Sequence, residues 1–171
     1  MSKKWVLINL AWVFLTLNAC GWQLRNTQLL GNSLGTVHVS YSGYQSSLAV
    51  ELKRALRAND VQLVGATDNA DYQVKIIDIN QSRRISALNA SARAAQYQIY
   101  QTVDYMVLDP LGEQIIPMTT VSAESTYNFN ESDVLASQNE ETLLQNNLRS
   151  KIVRKIIRRL GEASDNHKVY P

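Results

Sequence analysis

The chain has 171 residues, 45% of them hydrophobic, with 17 basic and 15 acidic side chains, a formal net charge of +2 and a single cysteine. That length suits one domain with its own core. The near-balance of charge excludes a general electrostatic affinity for nucleic acid, and one cysteine excludes an intramolecular disulfide.

Lys3 and Lys4 precede an apolar run from Trp5 to Leu17, broken only by Asn9 and Thr16, and Leu17-Asn18-Ala19-Cys20 follows. A positive end, an apolar stretch and a small residue before the cut describe a secretory leader. The run falls short of the roughly 20 residues of a membrane span. Leu17, Ala19 and Cys20 form a bacterial lipobox, so residues 1–19 are expected to be a cleaved lipoprotein signal peptide. Cys20 then carries a diacylglyceryl group and an N-acyl chain such as palmitate, and each buried methylene contributes about 0.8 kcal/mol to membrane anchoring. Gly21, where an Asp would retain a Gram-negative lipoprotein at the inner membrane, points to the outer membrane. An uncleaved anchor or an ordinary signal would instead leave a free thiol in an oxidising compartment. Cleavage removes Lys3 and Lys4, so the remaining basic and acidic side chains balance.

Residues 20–35 read as the lipidated N-terminus and a linker. Thr36 to Tyr41 alternates as a strand, with Val37, Val39 and Tyr41 on one face. Ser47 offers an N-cap for a helix to about Ala58, with Leu48, Leu52, Ala55 and Leu56 on one face. Asn59-Asp60 stops it. Val61 to Val64 is a short extended piece and Gly65 to Ala70 a turn. Tyr72, Val74 and Ile76 alternate before the phase slips to Ile77 and Ile79, which marks a bulge. Polar Ser82 to Ser91 reads as a connecting turn or as the tips of two strands. Ala95 to Leu108 is a long strand with Tyr97, Ile99, Val103, Tyr105 and Val107 on one face. Tyr100, Met106 and Leu108 make the other face partly apolar, which suggests a partner against it. Asp109-Pro110-Leu111-Gly112 is a turn. Ile115 to Phe129 returns, and Pro117 puts that end at an edge or a bulge. Ser137 to Glu140 has capping-box spacing and opens a helix with an apolar stripe Leu144, Leu148, Ile152, Ile156 and Leu160. Gly161 is placed to end it, leaving residues 162–171 as a polar tail. These elements predict a single α+β domain over 36–161. Its fold is a small, mostly antiparallel four-stranded sheet with two helices packed on one face, in the order β-α-β-β-β-α.

His38 and His167 have no metal-ligand companions at a suitable spacing, and there is no phosphate loop, nucleophile elbow or zinc-protease motif. With no cofactor or metal site legible, the residues point to a binding or assembly protein rather than an enzyme. Two basic groups stand out: Arg83, Arg84 and Arg93 near the strand tips, and Arg149, Lys151, Arg154, Lys155, Arg158 and Arg159 along the last helix. The second reads mostly as a solvated helix face. The first is either a solvated hairpin end or a recogniser of anions, since the planar guanidinium fork suits phosphates and carboxylates.

Gly21-Trp22-Gln23-Leu24-Arg25 after the cysteine resembles the opening of the LPS-assembly lipoprotein LptE family. Leu56-Arg57-Ala58-Asn59 is similar to the end of that family's first helix, and Ala95-Gln96-Tyr97-Gln98 to its long-strand signature. Leu135 to Glu140 and Ile156-Ile157-Arg158-Arg159-Leu160 resemble the two ends of its last helix. The resemblance implies a lipid-anchored protein on the periplasmic side of the cell outer membrane. It also implies a plug and assembly partner for the LptD β-barrel, which binds lipopolysaccharide and helps insert it into the outer leaflet. Lipid A phosphates would be met by basic residues near the strand tips. Two positions that are basic in one member of the family are Ala90 and Ser137 here, so Arg83, Arg84 and Arg93 nearby are the candidate ligand-binding residues. The alternative is a periplasm-facing lipid- or solute-binding accessory lipoprotein of an envelope ABC-type transport system.

Overall fold

The computed structural model describes residues 34–41, 43 and 46–169; Cys20, the leader and most of the linker lie outside the described residues. The order is β1 (Thr36–Tyr41), α1 (Ser47–Arg57), β2 (Gln62–Leu63), a 3-10 turn (Thr67–Asn69), β3 (Tyr72–Leu88), β4 (Ala94–Leu108), β5 (Gln114–Asn128) and α2 (Val134–Val169).

The expected four-stranded, mostly antiparallel sheet is corrected to a five-stranded mixed sheet in the order β2-β1-β3-β4-β5. Helix α1 returns the chain to the start of β1, so the next extended residues run parallel to it, with Thr36 opposite Gln62 and Val37 opposite Leu63. A crossover helix is the usual way to join parallel neighbours. The chain then crosses to the other edge of β1, and β3 also runs parallel to it, Val37 opposite Tyr72 through Tyr41 opposite Ile76. The crossing is pinned at Asp71, whose Oδ2 accepts the Thr36 backbone N–H at 2.6 Å and its hydroxyl at 2.8 Å. A two-residue strand carries too little alternation to be read from sequence.

The antiparallel half follows expectation more closely. β3 and β4 pair in register, with an irregularity between Ile76 and Asp78 where the sequence phase slips. β5 is an edge strand, and its ladder shifts between Ile116 and Thr119, around Pro117. The Asp109 carboxylate accepts the Glu113 N–H at 2.8 Å, and Gly112 takes φ +86°.

Both helices cover one face. Leu48, Leu52 and Leu56 of α1 and Leu148, Ile152, Ile156 and Leu160 of α2 bury against Val37, Val74, Ile76, Ile99, Val103, Tyr105 and Val107. The helix starts differ from expectation. Ser46, one residue before Ser47, caps α1 by accepting the Leu48 N–H at 3.1 Å. Asp133 caps α2 through the Ala136 N–H at 3.1 Å, while Ser137 is buried and donates to the Asp133 carbonyl. Gly161 does not end α2. The helix continues to Val169 because its next turn still faces the core: Ala163 packs there, and buried Ser164 donates to the Gly161 carbonyl at 2.8 Å.

Candidate functional site

The hairpin of β3 and β4 is much longer than β1 and β2. Among the described residues no strand accompanies β3 on the β1 side beyond Ile76, so its second half projects as an arm of three strands with α2 on one face. Burial along β3 tracks this: Tyr72, Val74 and Ile76 are buried, and Gln81 to Leu88 are all exposed. Residues 82–88, expected as a turn or strand tips, are ladder-paired strand, with Ser82 opposite Tyr100 and Leu88 opposite Ala94. Their polar sequence hid the strand because no core covers them. Asn89 organises the tip: its side-chain oxygen accepts the Ser91 and Arg93 N–H groups at 3.0 Å each.

The arm holds all three predicted arginines but does not bring them to one face. Consecutive strand residues point to opposite faces, and their partners agree. Arg83, on the helix-bearing side, donates to Glu141 Oε2 on α2 at 2.9 Å, and its guanidinium lies 4.6 Å from the Tyr97 ring centroid. Arg84 donates to the neutral Gln98 amide oxygen at 2.6 Å, so its charge has no ion-pair partner among the described residues. Arg93, in the turn, pairs with Glu131 at 2.8 Å across the arm's end. Ile85 and Leu88, 52% and 59% exposed, lie among these cations. The arm therefore combines fixed positive charge with uncovered aliphatic surface.

Beneath Arg83 is an aromatic and polar cluster. Tyr97 stacks on Tyr127 at 5.8 Å and meets Phe129 edge-on at 5.2 Å. The Tyr127 hydroxyl donates to Glu141 Oε2 at 2.5 Å, and the Gln145 amide donates to Glu141 Oε1 at 3.1 Å. Burial acts to raise the Glu141 pKa, but the bonds from Tyr127 and Arg83 outweigh it and hold the carboxyl below its ordinary value. Burial, helped by the same carboxylate, pushes the Tyr127 hydroxyl up. In the sequence Glu141 is simply one more acidic residue near the start of the last helix. Its spacing from Leu144 and Leu148, three and seven residues on, places it on the inward stripe, where a charge needs a partner.

The basic run on α2 divides. Arg149 lies 3.9 Å from Glu51 of α1, Lys155 donates to the Ser122 carbonyl at 2.7 Å, and Arg159 reaches the Thr119 hydroxyl at 3.3 Å. Lys155 and Arg159 thus shield the open edge of β5, as charged side chains commonly do. Lys151, Arg154 and Arg158 are exposed, the solvated face expected of them. On the helix-free side of the sheet, Tyr100 is exposed, Met106 half-buried and Leu108 buried. Among the described residues no group of three or more His, Cys, Asp or Glu could hold a metal, and no helix is long and apolar enough to cross a membrane.

A family model described as LptE, lipopolysaccharide-assembly, matches residues 34–160. The LPS-assembly lipoprotein LptE of Pectobacterium atrosepticum is 25% identical over 142 residues, covering 82% of this chain and 76% of that protein. The protein of the same name from Photorhabdus laumondii is 24% identical over 161 residues, covering 94% and 87%. Among solved structures, rare lipoprotein B from Shewanella oneidensis superposes with TM-score 0.69 at 20% identity, over 78% of this chain and 98% of that one. An uncharacterized lipoprotein B from Nitrosomonas europaea gives TM-score 0.70 at 18% identity, over 82% and 90%. At these identities the structures speak to the fold alone.

Proposed function

We infer the function from one premise: the chain belongs to the LptE family of lipopolysaccharide-assembly lipoproteins. Its place is in lipopolysaccharide assembly, and the reading is non-enzymatic. More finely, the protein is anchored by acylated Cys20 to the periplasmic side of the outer membrane. There it acts as plug and assembly partner of the LptD β-barrel and binds lipopolysaccharide through Arg83, Arg84 and Arg93.

The observation that carries the ligand half is the arm. Three arginines and the exposed side chains of Ile85 and Leu88 share its end, a pairing suited to an amphiphile with phosphates at one end and acyl chains at the other. The helix-free sheet face supports the partner half by presenting the exposed side chain of Tyr100.

Purification of the lipidated protein from mild detergent should bring a very large β-barrel with it, identified by mass spectrometry. Recovery of the protein alone, with the barrel maturing normally in its absence, would reject the plug reading. Joint charge reversal of Arg83, Arg84 and Arg93 should weaken lipopolysaccharide capture; unchanged capture would move the ligand site elsewhere. A periplasmic form with Cys20 replaced separates delivery from function, since barrel maturation with that form would confine the lipid to delivery.

A further inference from the structure

Arg83, Tyr127 and Gln145 come from a strand of the arm, the edge strand and the long helix, and all three donate to one carboxylate, that of Glu141. Three donors converging on two oxygens describe an anion receptor whose occupant is supplied by the chain itself. We propose that this receptor takes a phosphate group of the ligand, and that Glu141 fills it as an internal stand-in until the phosphate displaces it. The proposal rests on the lipopolysaccharide-binding reading and adds how the site is held when no ligand is bound.

The geometry supports exchange. The Arg83 side chain is 50% exposed against 19% for Glu141, so an incoming anion meets the guanidinium from the solvent side. The Tyr97 ring 4.6 Å away supports the guanidinium independently of Glu141. Rotating the Glu141 side chain outward leaves the helix backbone in place. A phosphate brings more negative charge and an additional acceptor oxygen, both of which an Arg fork and a phenol hydroxyl can use. Ile85, two residues along the same strand and 52% exposed, offers apolar surface beside the receptor. The stand-in also has a physical reason. Without it, the Tyr127 hydroxyl, on a residue only 3% exposed, would lose its acceptor.

The competing explanation is a brace: Glu141 would only fasten the arm to α2. Glu141→Gln separates the two, because it keeps the shape and removes the charge that competes for Arg83. Lipopolysaccharide, and the same preparation stripped of phosphate, would be titrated into the full-length protein as wild type, E141Q, R83Q and the double variant, with melting temperatures recorded in parallel. The proposal expects E141Q to bind the phosphorylated ligand tighter, by about fivefold for one released surface charge pair. The gain should vanish on phosphate removal and in the R83Q background. Equal or weaker binding by E141Q overturns it, as does a gain that survives phosphate removal. If lipopolysaccharide binds neither wild type nor E141Q, the ligand reading of the arm fails, and inorganic phosphate then decides the receptor by NMR. Shifts at Arg83 Nε–H that are larger in E141Q support it, and their absence in both forms overturns it.

Discussion

Tyr105 is the largest side chain fully enclosed by the core, and its hydroxyl has no hydrogen-bond partner among the described residues. Burial raises its pKa, and Arg159 lies near enough to oppose that rise without reaching hydrogen-bond geometry. An unmade bond to a buried hydroxyl costs roughly 1–3 kcal/mol. Tyr105→Phe is therefore expected to leave stability unchanged or raise it by about 1 kcal/mol in urea unfolding, where most core truncations lose stability. A loss of 2 kcal/mol or more would mean that Arg159 engages the hydroxyl in solution. Glu141 gives the opposite kind of residue effect. Its folded pKa is depressed, so its contribution to stability is present above the ordinary carboxylate value and is lost as pH falls through the lower folded value. Wild type should lose more stability than Glu141→Gln on acidification from pH 6 to pH 3, measured by thermal melts; equal slopes would show that the carboxylate is not held in solution as it is here.

At the scale of elements, the turns and caps carry the tests. Ala92, in the β3–β4 turn, takes φ +58°, a region that penalises a Cβ. Ala92→Gly should stabilise by about 0.5–1 kcal/mol, seen as a raised melting temperature with lipopolysaccharide capture unchanged. Gly35 shows the reverse constraint. A Cβ there would collide with the Asp71 carboxylate, which also holds Thr36 across the crossing from β2 to β3. Gly35→Ala should cost on the order of 1–3 kcal/mol, and a neutral result would show that Asp71 can swing aside. The same elements show what the sequence made legible. Where a long segment faces the core, period and phase revealed it: the slip at Ile76-Ile77, the inward face of β4, Pro117 on an edge strand and the stripe of α2. Three other segments stayed hidden, each for its own reason. Residues 82–88 have no packed face to impose alternation, β2 is two residues long, and Gly161 looked like a stop because nothing local reveals that Ala163 and Ser164 still pack. For the site, the three arginines were legible as cations, but their orientations were not. Arg83 and Arg84 diverge by strand geometry, and Glu141 emerges only once α2 lies across the arm.

The whole molecule divides into a thick end, where both helices cover five strands, and a thin arm, where α2 alone covers three. Local opening should follow this division. Amide exchange is expected to be slowest in β1 and in residues 72–76 and 103–107, and fastest in 83–95, with lipopolysaccharide slowing the second group. Uniform protection would argue that the arm is covered by something further. Finally, α2 runs as one rod from Asp133, beside the arm's tip, to the neighbourhood of Tyr72, whose phenol feels the Asp165 charge. Its 36 residues span about 54 Å at 1.5 Å per residue, and the 17 residues of β3 about 56 Å. Hairpin and helix therefore gauge each other's length. Adding one helical residue between Gln145 and Leu148 would turn Glu141 about 100° away from Arg83. Lengthening each arm strand by two residues adds about 6.6 Å, which four helical residues, about 6 Å and little more than one turn, restore. The reach of this arm is thus quantised: it can grow or shrink only in steps that strand and helix take together.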